Sequence, residues 1–288
     1  ILGRICTRPC ESKCIRGEVE EAIGINALKR AAADFGKYTE DYSIAAGKKE
    51  RVAIVGGGPA GIMAAYDLRK AGYKVTIFEA LDKLGGMMAV GIPEFRLPRA
   101  VLAKETDIIK KLGVEIKLNT RVGKDVKLED LRKDYNAVFI AAGAHQGKSP
   151  GIGNADIPGV IDGIDFLYEV NTGGKVPVPD KVVVVAGGNV AIDVSITALR
   201  LGAGDVRVVC LESRKEMPDL NEEIQQAIEE GIKVGNGWGP KRILAGRGKV
   251  KGVELKRCLA CYDKSGKFSP VYDENDVRTI DAGMVITA

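Results

Sequence analysis

The chain has 288 residues, 45% of them hydrophobic and 28% charged, with a formal net charge of +4. That is an ordinary globular composition, long enough for two domains. The charge carries no basic block, which argues against nucleic acid or an anionic membrane as partner. No apolar run reaches the length of a membrane span. A single histidine, His145, argues against His-rich zinc sites and against Ser-His-Asp or Cys-His mechanisms. No signal-peptide pattern is visible, so a cytoplasmic location is expected.

In chain order, Cys6, Cys10 and Cys14 come first, spaced four apart. On a helix they would share one face. Thiolates so spaced suit an iron–sulfur cluster, with zinc or an uncoordinated trio as the alternatives. Residues 20–37 carry Ile23, Ala27, Leu28, Ala31 and Phe35 at helical spacing. A polar linker is expected at 45–50.

A strand at Val52–Val55 then runs into Gly56-x-Gly58-x-x-Gly61, followed by a helix over 60–71 that stops at Gly72. Gly56 permits the turn, Gly58 admits a pyrophosphate to the backbone, and Gly61 lets helix and strand pack closely. A second strand, 74–78, delivers Glu79, where an acid accepts hydrogen bonds from ribose. These parts together predict a dinucleotide site. Residues 83–98 are expected to form a glycine- and proline-rich loop, followed by a helix over 101–112 and short strands at 114–118 and 137–141.

The pattern returns at 182–191. A Val-rich strand leads into Ala186-Gly187-Gly188-Asn189-Val190-Ala191. Alanine is tolerated at the third fingerprint position. At the first, Ala186 implies either mild strain or a negative φ. Asn189 and Asp193 are placed to reach phosphates, or Asn189 to cap the helix. Strand 206–210 leads to Glu212, whose charge suits the 2′-hydroxyl of NAD and repels the phosphate of NADP. Ser213 and Arg214 complete the expected nucleotide turn; Arg214 and Lys215 could reverse the preference. A helix at 221–230, β-like segments at 241–244 and 250–257, and a final strand at 282–288 follow. Cys258-x-x-Cys261 has dithiol spacing but falls in β-like sequence. Cys210 is expected to be a buried strand residue.

Several segments together resemble the glutamate synthase small (β) subunit family. They are Gly3-Arg-Ile-Cys-Thr-Arg-Pro-Cys-Glu-Ser-Lys-Cys14, Ala27-Leu-Lys-Arg30, Gly56–Gly61, Gly91-Ile-Pro-Glu-Phe-Arg-Leu-Pro98, Gly187-Gly-Asn-Val-Ala-Ile-Asp193 and Glu216-Met-Pro218. The resemblance runs in order through the chain. It implies an α/β fold in which a helical iron–sulfur segment precedes two Rossmann-like domains, with the NAD(P) domain inserted in the FAD domain. The corresponding boundaries are 1–45, 46–158, 159–278 and 279–288, the last being the start of the returning FAD segment. It implies FAD at Gly56, Gly58, Pro59, Ala60, Gly61, Glu79, Ala80, Gly86, Met87, Val122, Ala142 and Gly143. Arg96 is a further flavin contact or a loop-fixing residue. It implies NAD(H), with NADP less favoured, at Gly187–Ala191, Asp193 and Glu212–Arg214. It also implies [4Fe–4S] clusters at Cys6, Cys10 and Cys14. Relatives often place a Gln or Glu cluster ligand near Lys29, and NADPH-using relatives carry an arginine pair where this chain has Leu211 and Glu212. The chain reads as a fragment truncated at both ends. The activity implied is hydride transfer between NADH and FAD and electron passage to or from partner subunits. The alternatives are a disulfide reductase using Cys258 and Cys261, or a subunit that merely holds flavin.

Overall fold

The structure is a computed structural model and describes residues 1–37, 39, 41–147, 151–218 and 221–288. The chain divides into two compact units, Ile1–Ala144 and His145–Ala288.

The first unit begins with α1 (Leu2–Ile5), a 3₁₀ turn (Ile15–Glu18) and α2 (Ile25–Phe35). Helix α2 starts later than the periodicity suggests because Gly24 takes the N-cap position. A four-stranded parallel sheet follows, ordered β3-β2-β1-β4, from β1 (Arg51–Val55), β2 (Lys74–Phe78), β3 (Glu115–Lys117) and β4 (Ala137–Ile140). Helix α3 (Pro59–Lys70) connects β1 to β2. Between β2 and β3 lie the short α4 (Met87–Val90) and α5 (Arg99–Lys111), and α6 (Leu128–Asp134) precedes β4. Strand residues alternate between the two faces of a sheet. Val52, Ile54, Val75 and Ile77 pack with Ala65 and Ile109 on one face. Ala53 and Phe78 pack with Leu131 and Tyr135 on the other. The loop expected at 83–98 is thus partly helical.

The second unit carries a five-stranded parallel sheet ordered β5-β12-β6-β7-β8. Its strands are β5 (Val160–Asp162), β6 (Lys181–Val185), β7 (Asp205–Cys210), β8 (Lys233–Asn236) and β12 (Met284–Thr287). Helices α7 (Gly163–Asn171), α8 (Asn189–Arg200) and α9 (Asn221–Glu229) intervene. Asp162 caps α7 by accepting from the Ile164 and Asp165 N–H groups. A three-stranded antiparallel sheet, β9 (Trp238–Gly246), β10 (Lys249–Tyr262) and β11 (Phe268–Asp281), shares one core with the parallel sheet. Val183, Val185, Val209 and Val285 meet Ile243, Val253, Leu255 and Ile280 there.

Two expectations need correction here. Residues 145–158 belong with the second unit, since Ile152 joins its core and Gly153 bridges Arg242. The last strand is not the start of a returning first domain: β12 lies between β5 and β6, with Met284 opposite Val182 and Val285 opposite Val160. A lone apolar strand carries no mark of which sheet it joins; pairing decides that.

Candidate functional site

The first site forms where β1 turns into α3. Gly56 has φ +107°, and a Cβ on it would meet the Ala141 carbonyl oxygen at 2.3 Å. The turn therefore lies against Ala141 and Ala142, and only glycine fits. Gly58 is the N-cap of α3, no side chain caps it, and Pro59 is N1. The N–H groups of Ala60 and Gly61 consequently have no partner within the helix, which is what an anion at a helix N-terminus uses. A Cβ on Gly61 would fall 1.9 Å from the Gly56 carbonyl oxygen, and one on Gly86 would fall 2.9 Å from Gly58 Cα. Two backbone turns thus approach each other closely enough to cradle a pyrophosphate, and FAD fits this feature. Glu79, only 6% exposed, accepts from the Gly57 N–H at 2.6 Å through Oε2 and from the Leu81 N–H at 2.8 Å through Oε1. Backbone donors thereby hold the carboxylate at the end of β2.

Other expected residues gather unevenly. Ala80 is half-buried just after Glu79, and Met87 opens α4 beside Gly86. Gly143 follows Ala142 with φ +72°. Val122 packs with Val55, Val126 and Val138 on the β1–β4 core, as a wall residue. Arg96 stacks its guanidinium 5.6 Å from the Phe95 ring centroid. Arg99, which the sequence reading missed, ties this loop to the start of α5. It donates to the carbonyl oxygens of Met88 at 2.9 Å and Ile92 at 2.8 Å. The only sequence signal was an arginine at a helix start, where a cation is disfavoured by the helix dipole.

The second site repeats the first. Gly188 caps α8, so Asn189 is the first helical residue and not the cap. Its side chain donates to Glu223 Oε2 of α9 at 3.4 Å. A Cβ on Gly188 would meet nothing within 4 Å, so space is open where a phosphate would approach. Val190 faces outward, 40% exposed, and Ala191 is fully buried against the sheet. Asp193 lies one turn further along α8, with its carbonyl oxygen accepting from Thr197 Oγ1 at 2.6 Å. Among the described residues Ala186 is not one of the non-glycine positions with positive φ, so the negative-φ alternative is the one taken.

Glu212 is placed as Glu79 is. A Cβ on Gly57 would lie 3.0 Å from Glu79 Oε2, and a Cβ on Gly187 would lie 3.0 Å from Glu212 Oε2. The turn after β7 is held in part by Asn236 and Gly237, which sequence alone did not single out. The Gly237 N–H donates to the Glu212 carbonyl at 3.1 Å, and Asn236 Nδ2 does so at 3.1 Å. Glu216 accepts from the Ser213 N–H at 3.1 Å, and Arg214 donates to Asn221 at 3.0 Å. Ser213 and Arg214 border a cavity of about 400 Å³ that also meets Arg257, Cys258 and Cys261.

The cysteine segment departs from expectation. Helix α1 ends at Ile5, Cys6 is extended, Arg8 has φ +55° and Cys14 is extended, so the trio shares no helix face. Among the described residues no three His, Cys, Asp or Glu side chains are gathered as a metal ion needs. Cys6 is nonetheless lowered, mainly by a hydrogen bond from the Arg8 backbone and further by Lys29; Cys14 is lowered by backbone donors at Ile23 and Arg16. The described residues therefore show no complete cluster donor set. Cys210 is buried in β7, as expected, and burial pushes its thiol up to about 11.

A family model described as pyridine nucleotide-disulphide oxidoreductase matches residues 20–133 and 50–258. The chain belongs to this family. Its relatives include the NADP(+)-dependent formate dehydrogenase subunit beta of Moorella thermoacetica, 42% identical over 94% of this chain and 42% of that protein. They also include the NADPH-Fe(3+) oxidoreductase subunit beta of Geobacter sulfurreducens, 42% identical over 100% of this chain and 44% of that protein. The glutamate synthase [NADPH] small chain of Escherichia coli is 34% identical over 89% of this chain and 58% of that protein. The chain thus spans about half the length of these oxidoreductases. Mycobacterium tuberculosis FprA in complex with NADPH shares the fold with a TM-score of 0.72 at 20% identity, covering 84% of this chain and 70% of FprA. The resemblance to the glutamate synthase small subunit family is thereby established, and so is the two-domain oxidoreductase fold. No helix among the described residues is long and apolar enough to cross a membrane.

Proposed function

We propose that this chain is the nucleotide-binding part of a multi-subunit NAD(P)H:acceptor oxidoreductase, holding FAD in the first unit and NAD(H) in the second. The observation that supports this best is the repeated cradle: two helix N-termini capped by glycine, each with a carboxylate brought to the same point, beside Gly57 in one and Gly187 in the other. When bound, the nicotinamide and the flavin would supply the redox chemistry, as hydride donor and acceptor. The protein binds and orients. Gly58, Ala60, Gly61 and Gly86 receive the flavin's pyrophosphate, and Glu79 receives its ribose. Gly187 and Gly188 would receive the pyridine nucleotide's pyrophosphate, with Ala191 packed beneath, its N–H given to the Gly188 carbonyl at 2.9 Å, and Glu212 would receive the adenosine ribose.

The named relatives use NADP(+) or NADPH. Leu211 and Glu212 support NAD here, because a carboxylate repels a 2′-phosphate. Electrons leave to, or arrive from, a partner subunit. The [4Fe–4S] reading rests on the sequence of Cys6, Cys10 and Cys14 and on no gathered donor set, so no step is assigned to a cluster; iron and acid-labile sulfide analysis of the purified complex tests it. A dithiol turnover site has less support, since burial pushes Cys261 up to about 12 and slows attack by its thiolate. Titration of the holoprotein with NADH and NADPH, following flavin absorbance, tests the main reading. The expectation is reduction by both, with NADH preferred.

A further inference from the structure

Residues three apart on a regular strand point to opposite faces. Cys258 and Cys261 on β10 break that rule. The register of β10 against β11 slips between Lys256 and Arg257, between Cys258 and Ala260, and between Ala260 and Tyr262. Such bulges re-aim side chains, and the two Sγ atoms end 3.8 Å apart. Both residues are buried, 7% and 4% exposed, yet both border the cavity of about 400 Å³ shared with Ser213, Arg214 and Arg257. A small solute in that cavity meets both the thiol pair and the turn after β7. A hydrogen-bonded path joins them as well: the Cys258 N–H donates to the Gly237 carbonyl at 2.9 Å, and the Gly237 N–H to the Glu212 carbonyl at 3.1 Å.

We propose that Cys258 and Cys261 are a modification site, forming a reversible intrachain disulfide with low-molecular-weight disulfides, and that the cross-link weakens nucleotide binding at Glu212–Arg214. The second half rests on the reading that this turn holds the pyridine nucleotide; the first half does not. In the exchange, one cysteine loses its proton to solvent and attacks the incoming RSSR. The S–S bond of RSSR breaks and one RS⁻ leaves. The second cysteine, also deprotonated, attacks the mixed disulfide and expels the second RS⁻. Two cysteine thiols are oxidised by two electrons, and RSSR is reduced to two RSH. Forming the bond draws the sulfurs inward from contact distance, pulls on the Cys258 backbone, and through Gly237 displaces the Glu212 carbonyl. Where Cys261 is the thiol expelled, its raised pKa makes it a poor leaving group and that route of opening slow.

The test uses the full chain equilibrated in oxidised and reduced glutathione mixtures, trapped by alkylation and read by peptide mass. The expected result is loss of two hydrogens and a Cys258–Cys261 linkage, absent in Cys258→Ser and in Cys261→Ser. Absence of that linkage in the wild-type chain under fully oxidising conditions overturns the first half without requiring either variant to fold. The dissociation constant for NADH is then compared in both states, with weakening by about fivefold or more expected on cross-linking. An unchanged constant in the cross-linked protein overturns the second half. Failure of the reduced protein itself to bind NADH rejects the nucleotide reading, while the mass measurement still decides the cross-link.

Discussion

Gly61 and Ala191 occupy matching positions in the two cradles, and exchanging their side chains gives a sharp prediction. In the first cradle a Cβ at position 61 would lie 1.9 Å from the Gly56 oxygen, 3.1 Å from its carbonyl carbon and 3.2 Å from Ile54 Cγ2. The nearest obstacles are backbone, so no flexible side chain can give way. Helix α3 must withdraw from β1, and overpacking of this kind costs about 1–3 kcal/mol. The displaced groups are those that would hold the pyrophosphate, so most of the cost should fall on binding. At about 1.4 kcal/mol per decade, Gly61→Ala should weaken FAD binding roughly ten- to a hundredfold. In the second cradle alanine is already present and fully buried. Ala191→Gly should cost about 1 kcal/mol of stability through helix propensity and leave nucleotide affinity nearly unchanged. Fluorescence titration with FAD and with NADH, beside thermal unfolding, measures all four quantities. Wild-type FAD affinity in Gly61→Ala would refute the reasoning, because the helix would then have no need of the close approach.

Glu79→Ala should strand the Gly57 and Leu81 N–H groups, at about 1–3 kcal/mol for each donor left buried and unpaired; thermal unfolding of the apoprotein should register it before any cofactor is added. Replacing Leu211 and Glu212 together by arginine should shift the ratio of NADPH to NADH affinity by about tenfold or more toward NADPH, since a repelling carboxylate becomes an attracting pair; competitive titration reads the ratio. Asp205 is held down to about 2 by hydrogen bonds from Arg207 and then Lys233, against an ordinary 3.8. Its lowered pKa means it stabilises the fold above pH 3.8 and loses that contribution as the pH falls through about 2. Asp205→Asn should therefore be less stable than wild type at pH 6, by about 0.5–1 kcal/mol for a partly screened pair, and the two should converge in urea titrations near pH 2.

Much of the site was legible because it is local. A βα turn, its glycines and the acid at the next strand end sit within one stretch of chain, and strand, turn and helix each leave a composition mark. The pattern predicts Gly56 and Gly61 in one βα turn and Glu79 at the next strand end, and they lie there; Glu212 follows by the same logic, with a longer approach to its strand end. What remained hidden depends on contacts between distant segments. Asn236 and Gly237 support Glu212 only because β8 and β9 return beside β7. The pairing of β12 with β6 cannot be read from an apolar run that suits several sheets. The contact between Cys258 and Cys261 requires a bulge, and strand alternation alone predicts the opposite. The cysteine trio shows the converse error: spacing by four suggested one helix face, but Arg8 takes a left-handed conformation and the chain turns instead.

Anaerobic rapid mixing of NADH with the FAD-loaded protein tests the central claim most directly, by following the oxidised-flavin band at roughly 450 nm. The account predicts that the band is lost on the turnover timescale, and that Glu212→Lys slows the loss at low NADH without altering its final extent. Flavin that stays oxidised in the presence of saturating NADH and NADPH would contradict it.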